Sequence, residues 1–442
     1  FIGNGQGNSA TTAYSIVVGG ANNRSCTNNF TTIGGGLGNV SSGDVSTISG
    51  GYSNTASGAT SFVGGGKTNT ASGNCSFVGG GQSNSATAYW TTIGGGCGNS
   101  NPGVNSTTGG GLGNNNGGDA ATIAGGVLNC TCSGGYHAFV GGGRQNAATT
   151  RHTTVGGGQY NTASACASTV AGGHNNTASG CMSFIGGGCG NTSSGGYASV
   201  VVGGCGNSST STRAVVVGGS GNKACGASSF VGGGESNTAS GLIAVVAGGF
   251  NNTASGDYSF VGGGGCIALA VGGNTASGAR SAVVGGKANT ASGACSFVGG
   301  GQNNCATNPF STVSGGYLSK ATGNYTTTGG GLSSCATGSV ATVGGGQINC
   351  ATGGCATVAG GFANTASGNQ YPTIAGGSGN TASGNYGSFV GGGYQNTSSA
   401  YMTVVGGGFR NCAIGFQSTI TGGRCNVASG DTSTIDRKST RL

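Results

Sequence analysis

At 442 residues, with 107 glycines, three prolines and 5% charged residues, the chain is far from the quarter of charged residues usual in soluble globular domains. Glycine does not recur every third residue, which excludes a collagen helix, and β-branched and aromatic residues recur at fixed places, which excludes a disordered low-complexity chain. No apolar run approaches the ~18 residues of a membrane helix, and the net charge of +8 is scattered rather than clustered with stacking aromatics, so no nucleic-acid footprint is present.

The chain opens at Phe1 without a methionine, and Ile2 to Asn8 already fits the pattern that follows, so further sequence and any targeting signal are expected upstream. An apolar anchor returns at Ile33, Ile48, Val63, Val78 and Ile93. The unit is clearest in Ser61-Phe62-Val63-Gly64-Gly65-Gly66-Lys67-Thr68-Asn69-Thr70-Ala71-Ser72-Gly73. There are 29 anchors, 25 of them followed six residues later by Asn; most steps are 15 residues, a few are 16, and Ile123 to Val140 is 17. Val261 to Val283 spans 22 residues, with an insertion near 265–271. The pattern continues to Ile435, where the glycine triplet gives way to Asp436-Arg437-Lys438-Ser439-Thr440-Arg441-Leu442. That tail resembles translated sequencing-adapter read-through. The expected organisation is a tandem-repeat domain over 1–435 and a non-repeat tail over 436–442.

Each repeat reads as two short strands and two turns. The first strand is Ser-Phe/Thr-Val, the triple glycine supplies a turn where positive φ costs little, and the second strand is Asn-Thr-Ala-Ser closed by another glycine. Two such strands cannot bury a core alone, so successive repeats must stack like on like. The prediction is an all-β parallel β-solenoid of about 29 coils, ~4.8 Å per coil, on the order of 140 Å in all. Asn54, Asn69 and Asn84 should form an amide ladder, with Val63 and Val78 inside.

Charges respect that register. Lys67, Arg144, Glu235, Lys287 and Arg424 fall in the first turn, Asp44, Asp119, Asp257 and Asp431 just after the second-turn glycine, and none at an anchor or Ala position, as a dry interior demands. The residue before the anchor should face outward, since neighbours in a strand point to opposite faces. It is Phe at 1, 62, 77, 139, 184, 230, 260, 297 and 389. A ladder including Phe62, Phe77, Phe184 and Phe230 would be an exposed apolar stripe, which covering by sibling chains would relieve.

The tandem pattern Ser-x-Val-Gly-Gly-Gly-x-x-Asn-Thr-Ala-Ser-Gly resembles the head repeats of YadA-like trimeric autotransporter adhesins, and is similar to repeats of phage-type fibre proteins. The resemblance covers residues 1–435. It departs from the family in having 15 residues per coil, where about 14 is usual, and a glycine triplet where one glycine is common. It implies a left-handed β-roll, a homotrimer, display outside the cell on a bacterial outer membrane or virion, and binding to a host-surface protein or glycan through no transferable motif. The stalk and membrane anchor of such adhesins are not in this sequence.

Catalytic parts are few: three His (His137, His152, His174) and carboxylates scattered along the axis, so no enzyme activity and no cofactor are expected. Calcium binding is not expected, because the glycines come without periodic Asp, and zinc is not, because Cys-x-x-Cys pairs are absent. Among the 18 Cys, Cys166 with Cys181, Cys189 with Cys205, and Cys335 with Cys350 should stack on adjacent coils, either as disulfides or as small tolerated substituents. Tyr52, Phe250, Tyr317, Phe362, Tyr394 and Phe409 occupy the variable turn after the glycines and either contact a partner or are unselected variation. The leading function is an adhesive or spacer rod; the alternatives are an ice-binding solenoid and a purely structural fibre segment. Thr32, Thr47, Thr92 and Thr107 share a ladder that Phe62 and Phe77 interrupt, so a continuous Thr-x-Thr face is expected to be missing.

Overall fold

A computed structural model describes residues 1–265 and 272–436; the expected insertion, apart from Gly265, and the tail beyond Asp436 lie outside the described residues. The chain divides into two compact units, Phe1–Ser220 and Gly221–Leu442. Among the described residues each unit is all-β and holds 28 strands of two residues, two strands per coil and hence fourteen coils. The fold is a parallel β-solenoid of about 28 turns.

The coil containing Val63 illustrates why this sequence closes. Phe62–Val63 pairs in parallel with Phe77–Val78 one coil on, and Thr70–Ala71 pairs with Ser85–Ala86. Between these strands Lys67 forms an isolated bridge to Tyr52 on one side and Gln82 on the other, a third and thinner ladder. Backbone hydrogen bonds connect each side to the following coil, from the Phe62 amide to the Ser76 carbonyl, Lys67 to Gly81, and Thr70 to Asn84. A strand of two residues has no stability of its own, so it is the vertical repetition that satisfies the backbone.

The interior is formed by columns of identical side chains. Val63, Val78, Ile93, Ala71 and Ala86 are completely buried, as are Asn54, Asn69 and Asn84. The Asn69 side-chain nitrogen donates to the Gly65 carbonyl at 2.8 Å and to the Gly81 carbonyl at 2.9 Å, while its Oδ1 accepts the Asn84 amide at 2.9 Å. Each asparagine thus ties the glycine turns of two coils together and leaves no polar atom of its own unpaired. Across the irregular step, the Asn274 amide donates to Asn252 Oδ1 at 2.8 Å, and Thr253 pairs with Thr275. The ladder therefore keeps its register where the sequence spacing changes to 22 residues.

Polar replacements inside come in compensating pairs. Where Asn101 takes an Ala slot, the anchor one coil on is Thr108, whose hydroxyl donates to Asn101 Oδ1 at 2.6 Å; for Asn116 the donor is Thr131, in the Ala slot of the following coil, also at 2.6 Å. A buried amide among aliphatic side chains costs several kcal/mol unless paired, so both members must change together. One interior column is less satisfied: the buried hydroxyls of Ser61, Ser76, Ser183, Ser229, Ser259 and Ser296, two residues before their anchors, have no partner.

Candidate binding faces

The sequence predicts no single cleft, so the candidate sites are the outer columns of each unit. The first-strand column carries the phenylalanines. Phe62 and Phe77 stack with ring centroids 5.3 Å apart, and Phe77, Phe184 and Phe230 remain 40%, 37% and 36% exposed. Their moderate exposure has a local cause. A Cβ placed on Gly64 or Gly79 would lie 3.4 Å from the ring of Phe62 or Phe77, and the same holds at 3.3–3.4 Å for Gly141, Gly186, Gly232, Gly262, Gly299 and Gly391 against their phenylalanines. Each ring therefore lies over the glycine two residues ahead. All nine phenylalanines of this column precede such a glycine, whereas Ala124, Ala171, Val202, Val217, Ala247 and Val284 follow Thr122, Thr169, Val200, Val215, Val245 and Ala282. The expected stripe exists, but each ring covers part of its own coil.

The second-strand column is built differently. Thr162, Thr177 and Thr192 stand in register outside the buried Ala163, Ala178 and Ser193, and Ser164, Ser179 and Ser194 follow two residues on. Residues two apart in a strand share a face, so the column has two hydroxyl ranks. This is a Thr-x-Ser face rather than a Thr-x-Thr one, and it sits on the second strand, not on the first-strand ladder of Thr32, Thr47, Thr92 and Thr107. Thr238, Thr253, Thr275 and Thr290 with Ser240, Ser255, Ser277 and Ser292 repeat it in the other unit.

The six turn aromatics all lie on or beside the bridge ladder. Tyr52, Tyr317, Phe362 and Tyr394 are exposed, and Phe250 and Phe409 are half-buried. Of these six, the structure stacks Tyr394 on Phe409, with centroids 5.3 Å apart; Arg410 and Arg424 each lie 5.2 Å from the Phe409 ring, and Lys67 Nζ lies 5.8 Å from that of Tyr52. Sequence reasoning missed a second aromatic column at the opposite turn, where Tyr386, Tyr401 and Phe416 stack at 5.5 and 5.2 Å. Its signal was present, as aromatic residues four before the anchors Val390, Val405 and Ile420. The aspartates near this turn are structural: Oδ1 of Asp119, Asp257 and Asp431 accepts the amide of Val104, Leu242 and Phe416 on the preceding coil.

All described cysteines are free thiols. Cys335 pairs in register with Cys350, and Cys189 with Cys205, while the bond from the Met182 amide to the Cys166 carbonyl sets Cys181 one coil above Cys166. The three stacked pairs are as expected; their disulfides are not formed here. Burial, then the Cys350 thiol beside it, pushes Cys335 up to about 12, so it stays protonated and weakly nucleophilic at neutral pH. A further pair is not a stacked one: Cys130 and Cys132, two residues apart in the chain, have sulfurs 3.5 Å apart. Among the described residues no three His, Cys, Asp or Glu side chains gather as a metal site would require. Compared with known proteins, the chain matches no family model and no curated sequence.

Proposed function

We propose that this chain is a non-catalytic adhesive or spacer element, displayed outside the cell on a bacterial or virion surface. The observation that carries this reading is the repetition itself. The same side chains stand in the same columns through each unit, so chemistry is spread along ladders rather than gathered at one point. Acid/base catalysis needs converging groups, whereas adhesion and spacing need long uniform faces.

A homotrimer fits the first-strand column. Phe230, Val245, Phe260, Ala282 and Phe297 form five consecutive apolar rungs, and Val202 and Val217 are 47% and 40% exposed beside Val200 and Val215. A contiguous apolar stripe of this kind is uncommon on monomers. The aromatic columns of Tyr386, Tyr401 and Phe416, and of Tyr394 and Phe409 with their arginines, offer anchors for a host-surface protein or glycan. Light scattering on the chain up to Ile435 tests assembly: a particle about three times the protomer mass supports the trimer, and a monomer removes it. Arrays of glycans and matrix proteins test adhesion separately. Binding lost in Tyr401→Ser supports the adhesive role, and an empty array leaves the spacer role alone standing.

A further inference from the structure

The second-strand face has three properties that the rest of the surface lacks together. It is regular in two dimensions. Threonines of adjacent coils are ~4.8 Å apart, and the serine rank lies two residues, or ~6.7 Å, along the strand. Both ranks are held by the backbone ladder, since the Ser179 amide donates to the Ser193 carbonyl at 2.8 Å and the Ser255 amide to Ala276 at 2.9 Å. It is also smooth. Gly180, Gly195, Gly241, Gly256, Gly278 and Gly293 are buried, so no side chain stands immediately after the serines at 179, 194, 240, 255, 277 and 292.

Its hydroxyls are also uncommitted. None of the threonine and serine side chains at 162–194 or 238–292 in these ranks bonds to the protein, although the asparagine beside each threonine makes several bonds. Threonine is stiff about χ1, so on a fixed ladder its hydroxyl and methyl hold one arrangement with little entropy left to lose. No charge enters either patch, and charged residues hold their hydration water most strongly. Ser208 and Thr210 extend the first patch to four coils, and the second has four of its own.

We infer that these two hydroxyl patches bind ice. A discrete ligand selects a pocket with distinct groups at distinct places. A face that repeats one hydroxyl and one methyl at fixed intervals in two directions instead selects a partner that is itself a two-dimensional hydrogen-bonding lattice. Crystalline water is such a lattice, with repeat distances close to those of the ladder. A crystalline polysaccharide is the other candidate lattice. It is disfavoured because no ring stands in these ranks to stack on a sugar face. The inference does not rest on the adhesive reading, since the columns proposed for that role are different ones.

The test uses the purified full chain and measures thermal hysteresis, inhibition of ice recrystallisation and partition into growing ice. Activity is expected in all three. The quadruple variant Thr70→Lys, Thr177→Lys, Thr253→Lys, Thr381→Lys, which also covers the shorter runs of the same kind around Thr70 and Thr381, should lose most of it while keeping its fold, because Lys223 and Lys320 already occupy the same slot. Thr342→Val, on the first-strand column where valine is native at Val200 and Val245, should retain it. Absence of activity in the unmodified chain overturns the inference. So does equal loss in both variants, and so does binding to insoluble cellulose or chitin without any effect on ice.

Discussion

The two outer columns of a coil start from strands of equal length and end as different surfaces. On the first strand the outward residue stands beside a large anchor, and the position two residues on is most often glycine, so a second rank appears only in places, as at Val202, Val217 and Val284. The first rank accepts Phe, Thr, Val or Ala, provided that Phe has its glycine. On the second strand the outward threonine stands between a bonded asparagine and a buried alanine, and the serine beyond adds a second rank. The comparison teaches that outward variation is tolerated on both sides, as Phe, Thr, Val or Ala on the first strand and as Thr, Ser, Cys or Lys on the second, and that uniform hydroxyl ranks are confined to runs of coils such as those at 162–210 and 238–292. One side of the coil is fixed chiefly by apolar packing, the other by an amide ladder.

The largest expected effect follows from that asymmetry. Asn176→Ala removes bonds to the Gly172 and Gly188 carbonyls and leaves the Asn191 amide without its acceptor inside the coil. Orphaned buried groups cost 1–3 kcal/mol each, so a local loss of about 3 kcal/mol is expected. Val170→Ala, one strand earlier, removes two methyl groups from the packed side and should cost about 2 kcal/mol. Native-state hydrogen exchange at the Asn191 and Ile185 amides reads both locally, as a repeat protein requires. If the valine change proves the more damaging, the amide ladder is not the stronger restraint.

A smaller effect concerns the rule linking phenylalanine to glycine. In Gly79→Ala the new methyl would press on the Phe77 ring and on the next coil's backbone. In the Phe77→Thr background only the backbone contact remains, and alanine is native after threonine at Ala124 and Ala171. A double-mutant cycle should return a coupling of about 1 kcal/mol. Strict additivity would mean that the pairing seen along the sequence is not enforced by contact.

Much of this architecture was legible because a repeat reports its own register. The period gave both strands, the outward Phe62, the inward Val63 and the asparagine column, since residues at equal spacing must stack if the coil closes. What was not legible depends on backbone geometry within the turns. Thr68, Cys75 and Trp90 hold φ near +55°, as do the branched Val45, Ile243 and Ile348, although these residue types rarely take that conformation. Nothing in their identity signals it; the corner requires it and the stacked coils enforce it. The hydroxyl face was less legible because its outer rank is serine rather than threonine and because residues such as Cys130, Ala147, Lys223 and Cys305 interrupt its threonine rank. The Asp119, Asp257 and Asp431 caps were placed correctly in the turn, but their acceptor role needed the coil beneath them.

The smallest expected effect lies in the interior column that neither side of the coil satisfies. The Ser76 hydroxyl is buried without a partner, and alanine stands natively in the same slot at Ala121, Ala138 and Ala214. The first strand is held by packing, so removing an unpaired oxygen there should cost nothing, and Ser76→Ala is expected to be neutral or stabilising by up to about 1 kcal/mol. The contrast with the second strand is direct, because the polar atoms of Asn84 in the adjoining column are all engaged and cannot be removed without loss. Hydrogen exchange at the Phe77 and Val78 amides in Ser76→Ala decides the matter. Slower or unchanged exchange places the hydroxyl among tolerated residues of the packed side, whereas a clear acceleration would show that the first strand too depends on a polar contact.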